Sequence, residues 1–176
     1  YTYDQNGNVL SVAGKATSTW SYNNHLTQLA EGATTTTYGY DHTGDRVKYS
    51  NGTDTTLYPN KHWNTDTPGT GTTTTTHIFL GDTTVATVEK VGTTTATRYV
   101  HSDHLGGSSV VTDSTGEVDE LTDYYPYGSI RLEDNSQGYS EQRKFTGHEY
   151  DDETKLSYMG ARYYDGTTGR FRSQDP

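Results

Sequence analysis

The chain has 176 residues and a formal net charge of −10, and only 28 % of its residues are hydrophobic. An ordinary globular domain is about 45–50 % apolar with Gly included, so this composition by itself would indicate disorder. The 16 Tyr argue against disorder, because each ring can bury a large apolar area while its hydroxyl still forms a hydrogen bond. Thr, Ser and Gly are the other abundant residues, and they favour strands and turns.

Charge and residue content also exclude several classes of function. Asp and Glu outnumber Lys and Arg by 23 to 13 and no basic cluster is present, so we expect no nucleic-acid partner. The absence of Cys excludes disulfides and thiolate metal sites. No apolar run approaches the roughly 18 residues that a membrane span needs. The chain opens inside repeating material rather than on a signal peptide, so we expect it to be part of a longer protein.

An internal repeat occupies the first part of the chain, with units that start near residues 1, 20 and 38. Each unit combines aromatic residues two positions apart with a following Asp or Asn, and in two of the three units a Gly follows. The residues of this pattern are Tyr1, Tyr3, Asp4, Gly7, Tyr22, Tyr38, Tyr40, Asp41, Gly44 and Arg46. The period of 18 to 19 residues suits two strands and two turns.

The repeat unit has the chemistry of a β-hairpin. Two aromatics at alternate positions lie on one face of a strand. The Asp or Asn that follows can cap a turn, and the Gly can take the positive φ that such a turn needs. No apolar stripe of helical period persists, so we predict an all-β strip of hairpins with little or no helix. The Thr-rich stretch 34–37 is predicted as a strand entry, and 64–76, which contains Pro68-Gly69, as an exposed loop.

Four further motifs follow in a fixed order between residues 99 and 171. The first contains Asp103-His104-Leu105-Gly106, and the second contains Tyr125-Pro126-Tyr127-Gly128. The third and fourth contain Phe145-Thr146-Gly147 and Ala161-Arg162-Tyr163-Tyr164-Asp165, the latter continued by Gly169-Arg170-Phe171. Together with the Tyr-Asp repeats, this ordered series resembles the Rhs/YD-repeat family, specifically the Rhs repeat-associated core. The resemblance covers essentially the whole chain.

The resemblance implies a shell. In that family the repeats form a long β-sheet strip that spirals into a hollow wall, and the core closes it around a C-terminal polypeptide, commonly a toxin. The proteins are secreted or lie at the bacterial cell surface. We therefore assign 1–98 to the repeat strip and 99–176 to a core-like segment, and expect a structural role in enclosing an effector or building a surface fibre. The remainder of the same chain, or copies of it, would be the partner of the open strand edges.

Two other functions stay open. An adhesion module that binds carbohydrate would place two or three coplanar Tyr rings in solvent, whereas a structural role would stack them across strands. Several relatives of this type are also autoproteases that use aspartates near the end of the core. Asp175 is the only residue of this sequence that corresponds to those aspartates. The chain ends at Asp175-Pro176, before the usual cleavage motif. We predict no catalytic residue in this segment beyond this candidate.

Two further sites and two departures from the family pattern remain. Asp103-His104 and Asp151-Asp152-Glu153 invite a metal-binding interpretation, but turn capping and a solvated turn explain them better, so no metal or other cofactor is predicted.

Guanidinium groups of Arg162, Arg170 and Arg172 are expected to stack on Tyr163, Tyr164 and Phe171. Gly107 is an extra residue and Gly166 replaces the usual Pro, and we expect both merely to loosen a turn.

Overall fold

The computed structural model describes residues 1–68 and 71–175 and is built from antiparallel sheets, as the all-β prediction requires. In the first sheet each of 14 strands pairs with the next one along the chain. These strands are β1 (Thr2–Tyr3), β2 (Val9–Val12), β3 (Ala16–Trp20), β4 (Leu26–Glu31), β5 (Thr34–Tyr40), β6 (Arg46–Ser50), β7 (Thr55–Asn60), β8 (Trp63–Thr67), β9 (Thr73–Leu80), β10 (Thr83–Val91), β11 (Thr94–Ser102), β12 (Ser108–Thr112), β13 (Val118–Tyr124) and β14 (Ile130–Asp134).

A second, smaller sheet follows a single 3₁₀ turn at Phe145–Gly147. Its strands are β15 (Glu149–Asp151), β16 (Leu156–Tyr158), β17 (Tyr163–Asp165) and β18 (Arg170–Phe171). We call residues 139–175 the C-terminal unit. The division proposed between residues 98 and 99 falls inside β11, so it does not coincide with a break in the first sheet. In the described ranges, no helix has the length and apolar character needed to cross a membrane.

Because neighbouring strands are antiparallel, the turns of the first sheet lie alternately at its two borders, which are formed by the ends of the strands. The turns that follow odd-numbered strands form one side, which we call the odd rim: residues 4–8, 21–25, 41–45, 61–62, 81–82, 103–107 and 125–129. The described turns of the other side form the even rim: residues 13–15, 32–33, 51–54, 92–93 and 113–117. One turn type, capped by an Asp side chain, occurs on both rims.

A single turn geometry recurs along the odd rim. In the first turn the Asp4 carboxylate accepts backbone N–H groups of Asn6 and Asn8 at 2.9 and 2.8 Å. The Asp41 turn repeats this arrangement at 2.8 and 3.0 Å, with Gly44 at a φ of +94°. The strand pairing shifts by one residue just before these turns, as in a β-bulge. Bulges bend and twist a strip, so the repeated turn also introduces curvature.

The first sheet is strongly curved. Val9 of β2 donates its backbone N–H to the Arg172 carbonyl at 2.9 Å, while the β13–β14 turn contacts Gly166. Eleven strand spacings separate β2 from β13, which would be about 53 Å in a flat sheet. The segment 166–172 reaches at most about 21 Å when fully extended. The strip must therefore curl until its two ends meet the same β17–β18 hairpin.

The loop predicted over 64–76 is wrong for most of that range. Residues 63–67 form β8 and residues 73–80 form β9, and the two strands pair from Trp63↔Thr76 to Asp66↔Thr73. Thr has high β propensity, so this run forms strands without hydrophobic alternation because its neighbours supply the pairing. Asn64 and Thr75 are buried on the covered face. Gly69 of the predicted loop lies outside the described residues.

The C-terminal unit packs against one face of the curved sheet and forms the core there. The largest apolar cluster joins Leu26, Leu29, Tyr38 and Tyr49 of the strip to Leu156 and Tyr163 of the unit. The Tyr38 ring lies 5.9 Å from Tyr49 on the neighbouring strand and 4.8 Å from Tyr163, measured between centroids. Among the described residues, 20 buried residues are polar or charged and 12 are hydrophobic, so this interior is polar.

Two glycines allow close backbone contact between the strip and the unit. A Cβ on Gly107 would lie 3.1 Å from the Thr146 backbone nitrogen, and a Cβ on Gly166 would lie 2.7 Å from that of Ser129. The expectation that these residues merely loosen turns was therefore wrong. At both positions the missing side chain lets another backbone segment pack directly, which a Pro at 166 would prevent.

Substitution of Gly128 tests this packing. Gly128 and Gly138 both have positive φ, at +84° and +81°, so Ala costs similar backbone strain at each. Only at Gly128 would the new methyl overlap the Phe145 ring, whereas nothing lies near Gly138. We expect Gly128→Ala to lower the free energy of unfolding by about 1–3 kcal/mol more than Gly138→Ala, measured by urea denaturation. Equal losses would show that this contact does not contribute.

Candidate functional site

The junction between the strip and the C-terminal unit is the candidate functional site, and its centre is Arg46. This residue begins β6, directly after an odd-rim turn. Its Nη1 lies 2.8 Å from both carboxylate oxygens of Asp151 in β15. Its guanidinium lies 4.7 Å from the ring centroids of both Tyr58 and Tyr158. The Arg46 and Asp151 side chains are only 1 % and 3 % exposed, so the pair is fully enclosed.

The electrostatics of this pair follow from burial. Burial raises the pKa of Asp151 to about 6 even though Arg46 opposes the shift. Burial alone would lower the pKa of Arg46, but the Asp151 carboxylate raises it well above its ordinary value. Both groups are therefore charged at neutral pH. A buried pair of this kind fixes geometry, because either charge left alone there would be costly.

A second ionic cluster lies further along the strip. Lys144 of the C-terminal unit places its Nζ 2.6 Å from Glu120 in β13 and 2.7 Å from Glu133 in β14. The Ser140 hydroxyl lies 3.2 Å from the same nitrogen. Burial alone would lower the pKa of Lys144, but the two carboxylates raise it. One lysine therefore holds the last two strands of the first sheet to the unit.

A third cluster surrounds Arg98 in β11. Its guanidinium lies 2.5 Å from Glu89 of β10, 2.7 Å from Asp119 of β13 and 3.9 Å from the Tyr139 ring centroid. The Tyr139 hydroxyl donates to Glu141 at 2.7 Å. Each of the three cations is thus paired with acidic or aromatic groups from more than one element.

A cavity of about 600 Å³ opens beside Arg46, between the odd-rim turn 41–45 and the segment 158–160. Its wall includes the Tyr58 and Tyr158 rings, and Lys61 and Arg143 also line it. Among residues 1–68 and 71–175, no group of three or more His, Asp or Glu is placed to hold a metal ion. The geometry of this junction is that of a clasp: paired charges and rings join two parts of one chain.

Comparison with known proteins identifies a family and a solved structure with this architecture. The family model described as Teneurin YD-shell matches residues 1–176. The chain belongs to the Teneurin YD-shell family. The crystal structure of TcdB2-TccC3 matches this YD-shell fold with a TM-score of 0.83 at 22 % identity, over 99 % of this chain and 10 % of that one.

Sequence relatives of this YD-shell segment include much longer proteins. It is 31 % identical to "tRNA nuclease WapA" of Bacillus subtilis (strain 168), over 99 % of this chain and 8 % of that protein. It is 33 % identical to "Toxin subunit YenC1" of Yersinia entomophaga, over 45 % of this chain and 8 % of that protein. The chain thus spans about 8 % of the length of these relatives.

The structure separates the acidic candidates by burial. Asp103 accepts backbone N–H groups of Leu105 and Gly107 at 2.8 Å each, so it caps an odd-rim turn, while His104 is exposed. Asp152 is exposed, and Glu153 accepts hydrogen bonds from Tyr49 and Asn51. The solvated turn expected at 151–153 is therefore wrong for Asp151, which is buried against Arg46.

Asp175 lies at the surface. Its side chain is 79 % exposed and lies 3.0 Å from Arg162, whose guanidinium stacks 3.6 Å from the Phe171 ring centroid. Asp175 thus lacks the burial that would tune a general base. Of the other two arginines in this segment, Arg172 pairs with Asp165 at 2.9 Å and Arg170 is exposed.

The remaining motif residues fall into buried and exposed groups. The Tyr40 hydroxyl donates to the Leu26 carbonyl at 2.7 Å, and the Tyr164 hydroxyl donates to the Tyr127 carbonyl at 2.9 Å. The Phe145 ring packs between Tyr124 and Tyr164. The exposed motif residues are Tyr1, Tyr3, Tyr22, Asp41, His104, Leu105, Tyr125, Pro126, Tyr127, Ala161, Arg170 and Phe171. The Tyr1 and Tyr3 ring centroids lie 6.4 Å apart with planes 20° from parallel.

Removal of the Arg46 charge tests the clasp. Arg46→Met leaves Asp151 buried without its cation, so we expect a loss of about 3–5 kcal/mol in the free energy of unfolding. The control is Lys155→Met, which removes an exposed pair with Asp152 and should cost no more than about 1 kcal/mol. The double variant Arg46→Met/Asp151→Leu should regain part of the loss. Similar stabilities for Arg46→Met and Lys155→Met in urea denaturation would contradict the assignment.

The pH dependence of stability tests the Asp151 environment. The folded state holds the Asp151 proton up to about pH 6, whereas its ordinary pKa is 3.8. The folded state therefore binds more protons than the unfolded state across this window, so stability contributed by this group is lost as pH rises through it. Asp151→Asn cannot ionise and should lack this loss. Urea denaturation from pH 4 to pH 7 should show the wild type losing stability relative to Asp151→Asn, and parallel curves would contradict the shift.

Proposed function

We propose that this chain is a wall segment of a longer secreted or cell-surface protein, in which the YD-repeat strip helps to enclose a C-terminal effector polypeptide such as a toxin. The observation that carries the proposal is the curl of the strip. A flat or weakly twisted sheet encloses nothing, whereas this one bends until β2 and the β13–β14 turn meet one hairpin.

The clasp supports the same role. Ion pairs of Arg46 and Lys144 join the C-terminal unit to β6, β13 and β14 of the curved sheet, and the Arg98 guanidinium of β11 stacks on the Tyr139 ring of the unit. Such pairs fix one arrangement of the two parts rather than a set of sliding ones. A wall that keeps a cargo from water and proteases needs this fixed closure.

The names of the relatives favour a passive role for this segment. One is called a tRNA nuclease and another a toxin subunit, and each is about twelve times longer than the stretch matched here. We propose that chemical activity in this protein lies in another part of the polypeptide. The cavity beside Arg46 and the exposed Asp175 then serve the wall rather than a reaction.

Protease protection in the full-length gene product tests the proposal. We expect the polypeptide that follows residue 176 to be digested much more slowly in the intact protein than when it is expressed alone, because the wall excludes the protease. Arg46→Met should speed its digestion, because the clasp weakens, while Lys155→Met should not. Mass spectrometry of timed digests gives both rates. Equal digestion of enclosed and free polypeptide would overturn the proposal, as would a gene product with no such polypeptide.

A further inference from the structure

The C-terminal unit also meets the strip near β8 and β9, where one histidine from each part lies near an arginine. Arg143 of the unit donates from Nη2 to the Lys61 carbonyl of an odd-rim turn at 3.4 Å, and it pairs with Glu149 at 2.8 Å. The Arg143 charge acts on both His77 of β9 and His148 of the unit. We call Arg143, His77 and His148 the histidine joint.

The His77 ring is enclosed, and one of its nitrogens has a fixed partner. The residue is 3 % exposed, and its Nε2 lies 2.9 Å from Oδ1 of Asn64 in β8. Asn64 donates from Nδ2 to Asp66 at 3.0 Å, so its carbonyl oxygen is the atom that faces His77. A carbonyl only accepts, so Nε2 carries a hydrogen and Nδ1 is the position that takes up a further proton.

His148 is held through its other nitrogen. The Thr146 hydroxyl donates to the Phe145 carbonyl at 2.8 Å, so it accepts from Nδ1 of His148 at 2.9 Å. Nε2 of His148 is then the position that takes up a further proton. This ring lines the cavity beside Arg46, and the other charged groups along that cavity are Asp41, Asp45, Lys61, Arg143 and Glu149.

The carboxylates near His77 are already bonded to other groups. The charged groups that face this ring come from β8 and the unit, and they are Asp66, Glu141, Arg143 and Glu149. Glu149 pairs with Arg143, and Glu141 accepts hydrogen bonds from Thr87 at 2.9 Å and Tyr139 at 2.7 Å. Asp66 accepts the Gln142 amide at 3.1 Å. These carboxylates therefore have partners before any histidine is charged.

Burial opposes protonation of both rings. It lowers the pKa of His77, and Arg143 acts in the same direction, while Glu149, Glu141 and a hydrogen bond with Gln142 oppose the shift. Burial and then Arg143 also lower the pKa of His148. Both imidazoles are therefore neutral at neutral pH.

We propose that the histidine joint is an acid-sensitive latch, closed while both imidazoles are neutral and loosened when they take up protons. Two added positive charges would then lie near Arg143 in a space where the carboxylates are already engaged. Arg143 bonds the unit to the Lys61 carbonyl of the strip, so the repulsion acts on the contact between the two parts. The latch needs no enclosed polypeptide, so the inference stands apart from the proposed function.

The direction of the effect follows from the two lowered pKa values. The stability that His77 and His148 contribute is complete above pH 6.5, their ordinary pKa, and is lost as pH falls below it, because the unfolded chain then binds more protons. Asp151 changes stability in the opposite direction, since its pKa is raised to about 6. The test must therefore remove the histidines and leave Asp151 in place.

Two substitutions keep the hydrogen bonds and remove the titration. His77→Gln retains a donor at the Nε2 position, and His148→Asn retains one at the Nδ1 position. The control is His104→Gln, at an exposed turn. Backbone hydrogen exchange of the full-length gene product, corrected for the intrinsic effect of pH, is followed by mass spectrometry of peptides that cover 140–150. Between pH 7.5 and pH 5 we expect protection there to fall at least about threefold in the wild type and His104→Gln, and to stay unchanged in the double variant.

An equal acid response in the double variant and the wild type would overturn the inference. Deuterium exchange at the imidazole Cε1 positions of the wild type gives the pKa of each histidine directly, so the test does not depend on the folding of the double variant. A pKa at or above 6.5 for either ring would also overturn the inference. Two values below 6.5, together with acid loosening of 140–150, would support it.

Discussion

Every charge on the covered face of the sheet needs a partner there, and much of the architecture follows from this constraint. Removing a charged group from water costs far more than an apolar contact returns, unless an opposite charge and hydrogen bonds replace the water. Arg46, Lys144 and Arg98 therefore fix the position of the C-terminal unit more sharply than Leu or Val side chains would. Apolar groups tolerate small displacements, whereas a pair such as Arg46–Asp151 does not.

This constraint also explains the composition. A chain with 28 % hydrophobic residues cannot build an oily interior, and this one buries Thr, Asn, Glu and Lys among Tyr rings. Tyr suits such an interior, because its ring packs while its hydroxyl bonds a carbonyl, as Tyr40 and Tyr124 do. The low apolar content therefore reflects a different kind of core rather than the lack of one.

Local chemistry made the hairpins and the all-β class predictable. Tyr-x-Tyr followed by Asp and Gly encodes a strand and a turn within ten residues, and the structure places β1 and β5 accordingly, whereas Tyr22 of the second unit lies in the turn after β3. Partners distant in the sequence were not predictable. Asp151 follows Arg46 by 105 residues and looked like part of a surface turn with Asp152 and Glu153, because no local pattern marks which carboxylate faces inward. The Thr-rich strand β8 and the 73–76 part of β9 were missed for a related reason: their pairing, rather than their hydrophobicity, makes them strands.

The β17–β18 hairpin has a consequence for the order in which the molecule forms. Each hairpin of the strip pairs only with its neighbours, so the strip can grow strand by strand as the chain is made. The hairpin that joins its two ends follows all fourteen strands of the first sheet in the sequence. During translation the two ends of the strip therefore cannot both be held by this hairpin until residues 163–172 have left the ribosome. The moment of closure is thus set by sequence position.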